Sequence, residues 1–259
     1  MSELIADIFV TVKPVRDRLA LTERSLRSLL ENTQRAQFRL TVCVDGNAEE
    51  NIVGVDGADY ALQSFENEGL GPTINRAVAH IKTVNDWYSH PTHGDHSKVA
   101  PFVVMCQDDL LYTKDWLPRL AANFCAFERS QRLGFASGLE CIEHPVKRDF
   151  GNGVLFKDWI RAAQMLGRRE YWESMMPIPR LDPETGRVRA KPNDGMGSGV
   201  DWWLIRNHEN SVCRSGRTCL VMPGLVTHIG YDKSTWLARE MPESDADKAA
   251  MKSKFEGEF

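Results

Sequence analysis

Short apolar runs alternate with amphipathic stretches along the first 140 residues. Runs bounded by turn-forming residues are typical of strands buried on both faces. They cover residues 8–12, 38–44, 58–63, 102–106 and 133–137. Between the first two runs, Leu26, Leu29 and Leu30 have helical spacing, and Thr22 is the predicted N-cap. This alternation predicts an α/β protein with right-handed crossovers and a Rossmann-like, mostly parallel central sheet flanked by helices.

The rest of the chain adds two clear helices and several shorter elements. A glycine-rich turn at Gly69 leads into one helix with Pro72 in its first turn, and Asp115 starts the other. Residues 86–100 are predicted to form a surface loop, and 141–158 and 177–198 long irregular loops. A strand at 159–167 is predicted between the long loops. It is followed by short helices near Arg168 and Gly199, strands at 219–222 and 225–228, and a charged tail at 237–259.

Composition limits the functional classes to which the chain could belong. The chain has 259 residues, 42% hydrophobic content and a net charge of −4, so no overall basic field favours nucleic acid. Residues 145–191 nevertheless carry a local net charge of +4, which is compatible with an anionic acceptor. Six cysteines without a C-x-x-C pair indicate a reducing compartment. Without a signal peptide or an 18-residue apolar run, the sequence predicts a soluble, cytoplasmic protein, in a host cell if the source is viral.

Polar residues follow several of the predicted strands: Lys13 and Pro14, Asp45, Asp108 and Asp109, and His228. An isolated Asp-Asp pair is more often a turn or helix cap than a ligand. However, the carboxyl ends of parallel strands meet at one edge of a sheet, where open α/β proteins bind ligands. Carboxylates, a histidine and helix N-termini gathered there suit a nucleoside diphosphate bridged to Mg²⁺ or Mn²⁺.

Seven short motifs occur in order between Ile8 and about Ser234. They are Thr11–Pro14, Val44–Asn47, Gly69–Asn75, Gln107–Asp109 with Asp115–Leu117, Arg168–Tyr171, Gly199–Trp202 with Arg206, and Thr227–Gly230. Their order resembles that of glycosyltransferase family 2, whose members are inverting enzymes of the GT-A fold. The resemblance implies a catalytic domain over residues 1–236, with a donor-nucleotide half over about 1–112 and an acceptor half over about 113–236.

The resemblance also implies a role for each motif residue. Asp201 would be the catalytic base, and Asp109 and His228 would bind Mn²⁺ or Mg²⁺. The donor, a nucleoside-diphosphate sugar and most plausibly a UDP-sugar, would contact Thr11, Lys13, Pro14, Asp45, Asn75 and Asp108. The acceptor would contact Trp202, Arg168 and Arg169.

Four positions depart from the family pattern. Gln107 replaces the first carboxylate of the Asp-x-Asp motif, and Val200 replaces the glutamate before Asp201. Val44 and Ile74 stand where the family has an aspartate and an arginine. The Gln-x-x-Arg-Trp signature of processive synthases is absent, so transfer of single sugars is predicted.

Two other functions stay open from the sequence. One is a sugar nucleotidyltransferase, although Lys13 and Pro14 stand where such enzymes have a glycine-rich loop. The other is a non-catalytic module that binds a nucleotide sugar or glycan. The acceptor hydroxyl is equally open: a hydroxymethylated DNA base, a glycan, a lipid carrier and a protein all fit. His90, His93 and His96 lie in a predicted loop, so they do not predict a zinc site.

Overall fold

The computed structural model describes residues 4–13, 18–46, 56–66, 68–92, 94–139, 145–179 and 199–229. Pro14, His93 and the charged tail at 237–259 lie outside these ranges. The ten strands are β1 (Ala6–Val12), β2 (Phe38–Val44), β3 (Tyr60–Gln63), β4 (Phe102–Gln107), β5 (Leu110–Tyr112), β6 (Leu133–Leu139), β7 (Val146–Asp149), β8 (Leu155–Lys157), β9 (Gln164–Arg168) and β10 (Thr218–His228). The helices are α1 (Leu19–Asn32), α2 (Leu70–Tyr88), α3 (Trp116–Gln131), α4 (Arg169–Glu173) and α5 (Val200–Trp202), which continues into a π-helical turn at Trp203–Asn207.

All ten strands belong to one mixed sheet in the order β3-β2-β1-β4-β9-β6-β10-β8-β7, with β5 paired to β10. Strands β3, β2, β1 and β4 are parallel, as predicted. Strand β9 runs antiparallel to both β4 and β6, whereas β6 and β10 are parallel to each other. The predicted α/β class with a central sheet flanked by helices is therefore confirmed.

Helices cover both faces of the sheet. Leu26 and Leu29 of α1 pack with the aromatic side chains of α3 on one face. On the other face, α2 packs with Trp172 of α4 and Val200 of α5. The strands between these layers are buried almost throughout, which explains why their sequences are continuous apolar runs.

The sequence prediction was wrong in several elements. Helix α1 begins at Leu19, so Thr22 lies inside it and does not cap it. Helix α2 continues to Tyr88, three residues into the predicted surface loop. Strands β7 and β8 occupy part of a region predicted to be irregular. The strand predicted at 159–167 begins only at Gln164, as β9. The strands predicted at 219–222 and 225–228 are parts of one strand, β10.

No helix in the described ranges is both long enough and apolar enough to cross a bilayer.

Candidate functional site

The carboxyl ends of β1, β2 and β4 meet at one edge of the sheet. Val12 pairs with Val44, and Thr11 pairs with Gln107. The predicted site residues that directly follow these strands are therefore neighbours: Lys13, Asp45 and Asp108. Lys13 is exposed, while Thr11 is buried and its hydroxyl lies 3.5 Å from the carbonyl oxygen of Cys106. Contact of these residues with a donor stays a prediction.

Asp109 and His228 are brought together by the pairing of β5 with β10. His228 pairs with Leu110, and the N–H of Ile229 donates to the carbonyl of Asp109 at 2.9 Å. As a result, Nε2 of His228 lies 3.4 Å from Oδ1 of Asp109. Asp109 is 2% exposed, and its Oδ1 receives no hydrogen bond in the described part of the chain. A buried carboxylate oxygen without a donor is unusual, because buried polar atoms are nearly always paired.

These two side chains fit a divalent cation. Burial lowers the pKa of His228, with Arg161 and Arg18 adding to the effect and Asp109 opposing it. The histidine is therefore neutral near pH 7, which is the form that binds metals. A carboxylate oxygen and an imidazole nitrogen are ligands that Mn²⁺ accepts.

The described part of the chain supplies two candidate ligands, which is part of a coordination shell. Within the described ranges, no group of three or more potential ligands is clustered, and His90 and His96 are exposed. Hard divalent cations commonly complete their shell with water and substrate phosphates. The pair of Asp109 and His228 therefore fits an ion that is held together with an anionic substrate.

Asp108 points toward α1 and not toward the open edge of the sheet. It is 3% exposed, its Oδ1 accepts from Nη2 of Arg18 at 2.8 Å, and its Oδ2 accepts from the Thr22 hydroxyl at 2.8 Å. Burial raises the pKa of Asp108 and the nearby Asp109 adds to this, whereas Arg18 and Thr22 oppose it. Both oxygens already accept a hydrogen bond within the protein, and contact between Asp108 and the donor stays a prediction.

Asp45 joins the end of β2 to the start of α2. Its two carboxylate oxygens accept from the backbone N–H groups of Glu68 and Gly69 at 2.7 and 2.9 Å. A carboxylate has about four lone-pair sites, so two bonds leave capacity for another partner. Recognition of a nucleobase by Asp45 stays a prediction, alongside this role in fixing the start of α2.

Asn75 is engaged by the backbone of a distant segment. Its amide nitrogen donates to the carbonyl of Ile178 at 2.7 Å, and its amide oxygen accepts from the N–H of Ile178 at 2.7 Å. This two-point contact ties residues 175–179 to α2. A donor that contacts Asn75, as predicted, would have to share an amide group that already pairs with Ile178.

Replacing Asn75 by alanine should lower the free energy of unfolding by about 1–3 kcal/mol, because two backbone groups of Ile178 lose their partners. Urea denaturation measures this change. Asn123→Ala is the matched control, since the Asn123 amide donates only within its own helix. If Asn75 acted mainly on a donor, its variant would instead lose donor affinity with unchanged stability.

Asp201 is the second residue of α5 and has the environment of a proton acceptor. Burial raises the pKa of its carboxyl group above the ordinary value for aspartate. Backbone N–H groups at the helix start, the charge of Arg161 and the indole of Trp159 oppose that rise. A carboxylate with a raised pKa and neighbouring hydrogen-bond donors is suited to general-base work near neutral pH.

Arg161 lies at the same edge of the sheet and was not singled out by the sequence. Its charge lowers the pKa of both Asp201 and His228. Gln107 fixes the adjacent backbone, because its N–H donates to the carbonyl of Ala163 at 2.8 Å and its side chain to that of Ala162 at 3.2 Å. Gln107, where the family pattern fails, thus holds the Arg161 segment beside the carboxylates.

Arg168 and Arg169 lie at the opposite edge of the sheet from Asp108, and their contact with an acceptor stays a prediction. Arg168 pairs with Phe102 at the start of β4, because β9 runs antiparallel to β4. Six residues separate Phe102 from Asp108, which is roughly 20 Å along a strand. Arg168 instead forms an ion pair with Glu128 at 2.6 Å, and Arg169 pairs with glutamates of α4.

The two adjacent tryptophans differ in burial. Trp202 is 6% exposed and packs in the interior, which is at odds with its predicted contact with the acceptor. Trp203 is partly exposed, and its ring lies 5.4 Å from that of His208. Adjacent helical residues point in different directions, so the helix turns only one of the pair inward.

Solved structures of glycosyltransferases match this architecture. The crystal structure of GalNAc-T7 with UDP, GalNAc and Mn²⁺ matches with a TM-score of 0.58 at 10% identity, over 88% of this chain and 44% of that one. The S. aureus TarS 1–349 structure matches with a TM-score of 0.51 at 12% identity, over 97% of this chain and 69% of that one.

The chain spans less than half the length of the GalNAc-T7 chain. No protein-family model matches the sequence, and no curated protein has a significantly similar sequence. At these identities the likeness concerns the backbone alone. The chain therefore has the fold of the GT-A glycosyltransferases.

Proposed function

We propose that this protein is a metal-dependent inverting glycosyltransferase of the family 2 type. It moves one hexosyl or pentosyl unit from a nucleoside-diphosphate sugar, preferably a UDP-sugar, to an acceptor hydroxyl. The observation that carries the proposal is that Oδ1 of buried Asp109 faces Nε2 of His228, where the parallel strands of a GT-A fold end, and receives no hydrogen bond from the described residues. GalNAc-T7, which matches this fold, was crystallised with UDP and Mn²⁺.

In the proposed reaction, Asp201 accepts the proton of the acceptor hydroxyl. The acceptor oxygen forms a bond to C1 of the sugar as the bond from C1 to the phosphate oxygen breaks. The electron pair of that bond leaves with the nucleoside diphosphate, and attack from the opposite side inverts C1. Asp109 and His228 would hold a divalent cation, whose positive charge would stabilise the leaving diphosphate. Asp45 and Lys13 contact the nucleotide, and Thr11 lies beside them.

A panel of sugar nucleotides tests this proposal. The full chain is incubated with each donor and Mn²⁺, and release of nucleoside diphosphate is measured. Release that depends on Mn²⁺ supports a transferase. Formation of a nucleoside triphosphate when pyrophosphate is added would instead indicate a sugar nucleotidyltransferase. Tight binding of a donor with no release under any condition would indicate a non-catalytic module.

The acceptor is identified by incubating candidate acceptors with the preferred donor and measuring the change in their mass. In the described ranges, several cations of the basic region 145–191 are already paired with carboxylates, namely Lys147, Arg168 and Arg169. DNA containing a hydroxymethylated base is still a candidate. Binding to DNA would weaken steeply as salt concentration rises, whereas a flat response would exclude it.

Replacing Arg161 by glutamine should shift the acid limb of the pH–rate profile to higher pH. A positive neighbour favours the ionised carboxylate, so its removal raises the pKa of Asp201 further. The base then becomes ionised only at a higher pH. The measurement is the rate at saturating donor and acceptor concentrations between pH 5 and 9.

Arg129→Gln is the charge-matched control for Arg161, because Arg129 is exposed on α3. Its acid limb should coincide with that of the wild type. An Arg161 variant with an unshifted or lowered acid limb would contradict the role of Asp201 as the titrating base.

A further inference from the structure

Polar side chains on one face of α1 form hydrogen bonds with the turn that carries Asp108 and Asp109. Four polar residues of this face, which we call the α1 polar stripe, are spaced four, three and three residues apart, as one side of a helix requires. They are Arg18, Thr22, Ser25 and Ser28. The hydroxyl groups of Ser25 and Ser28 accept from the backbone N–H groups of Leu110 and Tyr112 at 3.1 and 2.9 Å.

At its N-terminal end, the stripe reaches the carboxylates themselves. Nη2 of Arg18 lies 2.8 Å from Oδ1 of Asp108 and 2.7 Å from Oδ2 of Asp109. Thr22 holds the other oxygen of Asp108 at 2.8 Å. A single guanidinium therefore bridges both carboxylates, and the serines fix the backbone immediately after them.

The two oxygens of Asp109 have different surroundings. Oδ2 is held by Arg18, whereas Oδ1 faces Nε2 of His228 at 3.4 Å and has no hydrogen-bond donor in the described part of the chain. Fixing one oxygen of a carboxylate sets the direction of the other. Partners of this kind orient metal-binding carboxylates in proteins.

The charges agree with a permanent bridge. A guanidinium group stays protonated in proteins, so Arg18 keeps its positive charge between the two carboxylates. Arg18 contacts Oδ2 of Asp109 and not Oδ1. A divalent cation at Oδ1 is therefore compatible with an Arg18 that keeps its place at Oδ2.

We propose that Arg18 is a positioning residue for the divalent cation, holding Oδ2 of Asp109 so that Oδ1 and His228 together face the ion. This inference rests on the proposed function, and Arg18 touches neither sugar nor acceptor. Arg18 stays in place when the ion binds. The competing arrangement is an arginine that occupies the ion's position and must leave before the ion enters.

Titration of the full chain with Mn²⁺, followed by the electron paramagnetic resonance of free Mn²⁺, separates the two arrangements without an activity assay. Arg18→Met should bind Mn²⁺ about 10–100-fold more weakly than the wild type, which is the usual cost of losing such a partner. Arg18→Lys should be intermediate, because its ammonium group keeps the positive charge but sits on a flexible stem that does not hold it at the position of Nη2. Arg27→Met, on the exposed side of α1, should bind as the wild type does.

Equal or tighter Mn²⁺ binding by Arg18→Met overturns the inference and leaves the proposed transferase intact. If Arg18→Met does not fold, as judged by circular dichroism, Arg18→Lys decides the question by the same criterion. A wild-type protein that binds no Mn²⁺ would contradict the metal dependence in the proposed function itself.

Discussion

Replacing Asp201 by asparagine should lower the turnover number by about 10²–10⁴-fold, the range contributed by a general base. Asparagine has the same shape but accepts no proton at neutral pH. Burial raises the pKa of Asp201, and its carboxylate contacts the indole of Trp159. The measurement is the rate of sugar transfer at saturating donor and acceptor concentrations.

The same variant should keep Mn²⁺ affinity and the thermal unfolding temperature within narrow limits of the wild type. Asp86→Asn provides the control, since Asp86 is an exposed carboxylate on α2 that pairs only with Lys82 in the described ranges. Asp201→Asn with wild-type turnover would show that another group accepts the proton. A variant that loses turnover together with its circular dichroism spectrum would show a structural role of Asp201 in place of a catalytic one.

Replacing Asp109 by asparagine should remove most Mn²⁺ binding and, with it, donor turnover. The loss should exceed the roughly 100-fold cost of disturbing an outer partner, because a direct ligand is changed. A neutral amide oxygen is a weaker ligand for a hard cation than a carboxylate. Mn²⁺ affinity is measured by electron paramagnetic resonance, and turnover is measured after EDTA treatment and re-addition of Mn²⁺.

The control for Asp109 is Asp95→Asn, an exposed carboxylate that accepts from Ser97 in a distant loop. Arg18 keeps Asp108 as a partner in the Asp109 variant, so the fold should survive. His228→Ala should share the loss of Mn²⁺ binding. Full Mn²⁺-dependent turnover in Asp109→Asn would mean that the ion, if any, is held elsewhere.

Local sequence signals identified the parallel half of the fold well. Strands β1, β2 and β4 are short apolar runs that end in turn formers, and each is buried on both faces. The turn at Gly69 and the proline at position 72 predict the start of helix α2. In contrast, the exposed strand β7, with residues such as Lys147 and Arg148, has no apolar run and forms only because β8 pairs with it.

The site divides in the same way. Asp45, Asp108 and Asp109 were recognised because each directly follows a strong strand, and β5–β10 pairing then brought His228 to Asp109. Arg18 and Thr22 carried only the weaker signal of polar residues near the start of a helix. Their contact with the carboxylates spans about 90 residues of sequence, and no local pattern encodes such a contact.

The α/β class, the parallel strands around β1 and the carboxylates at their ends follow from the amino-acid sequence, because burial on two faces and turn chemistry are local properties. The direction of β9 depends instead on its pairing with β4 and β6 in the folded sheet. An apolar run such as Met165–Leu166 looks the same whether a strand runs up or down. Because β9 runs antiparallel, the arginine before it, Arg161, reaches the site, and the arginines after its buried run, Arg168 and Arg169, lie at the far edge.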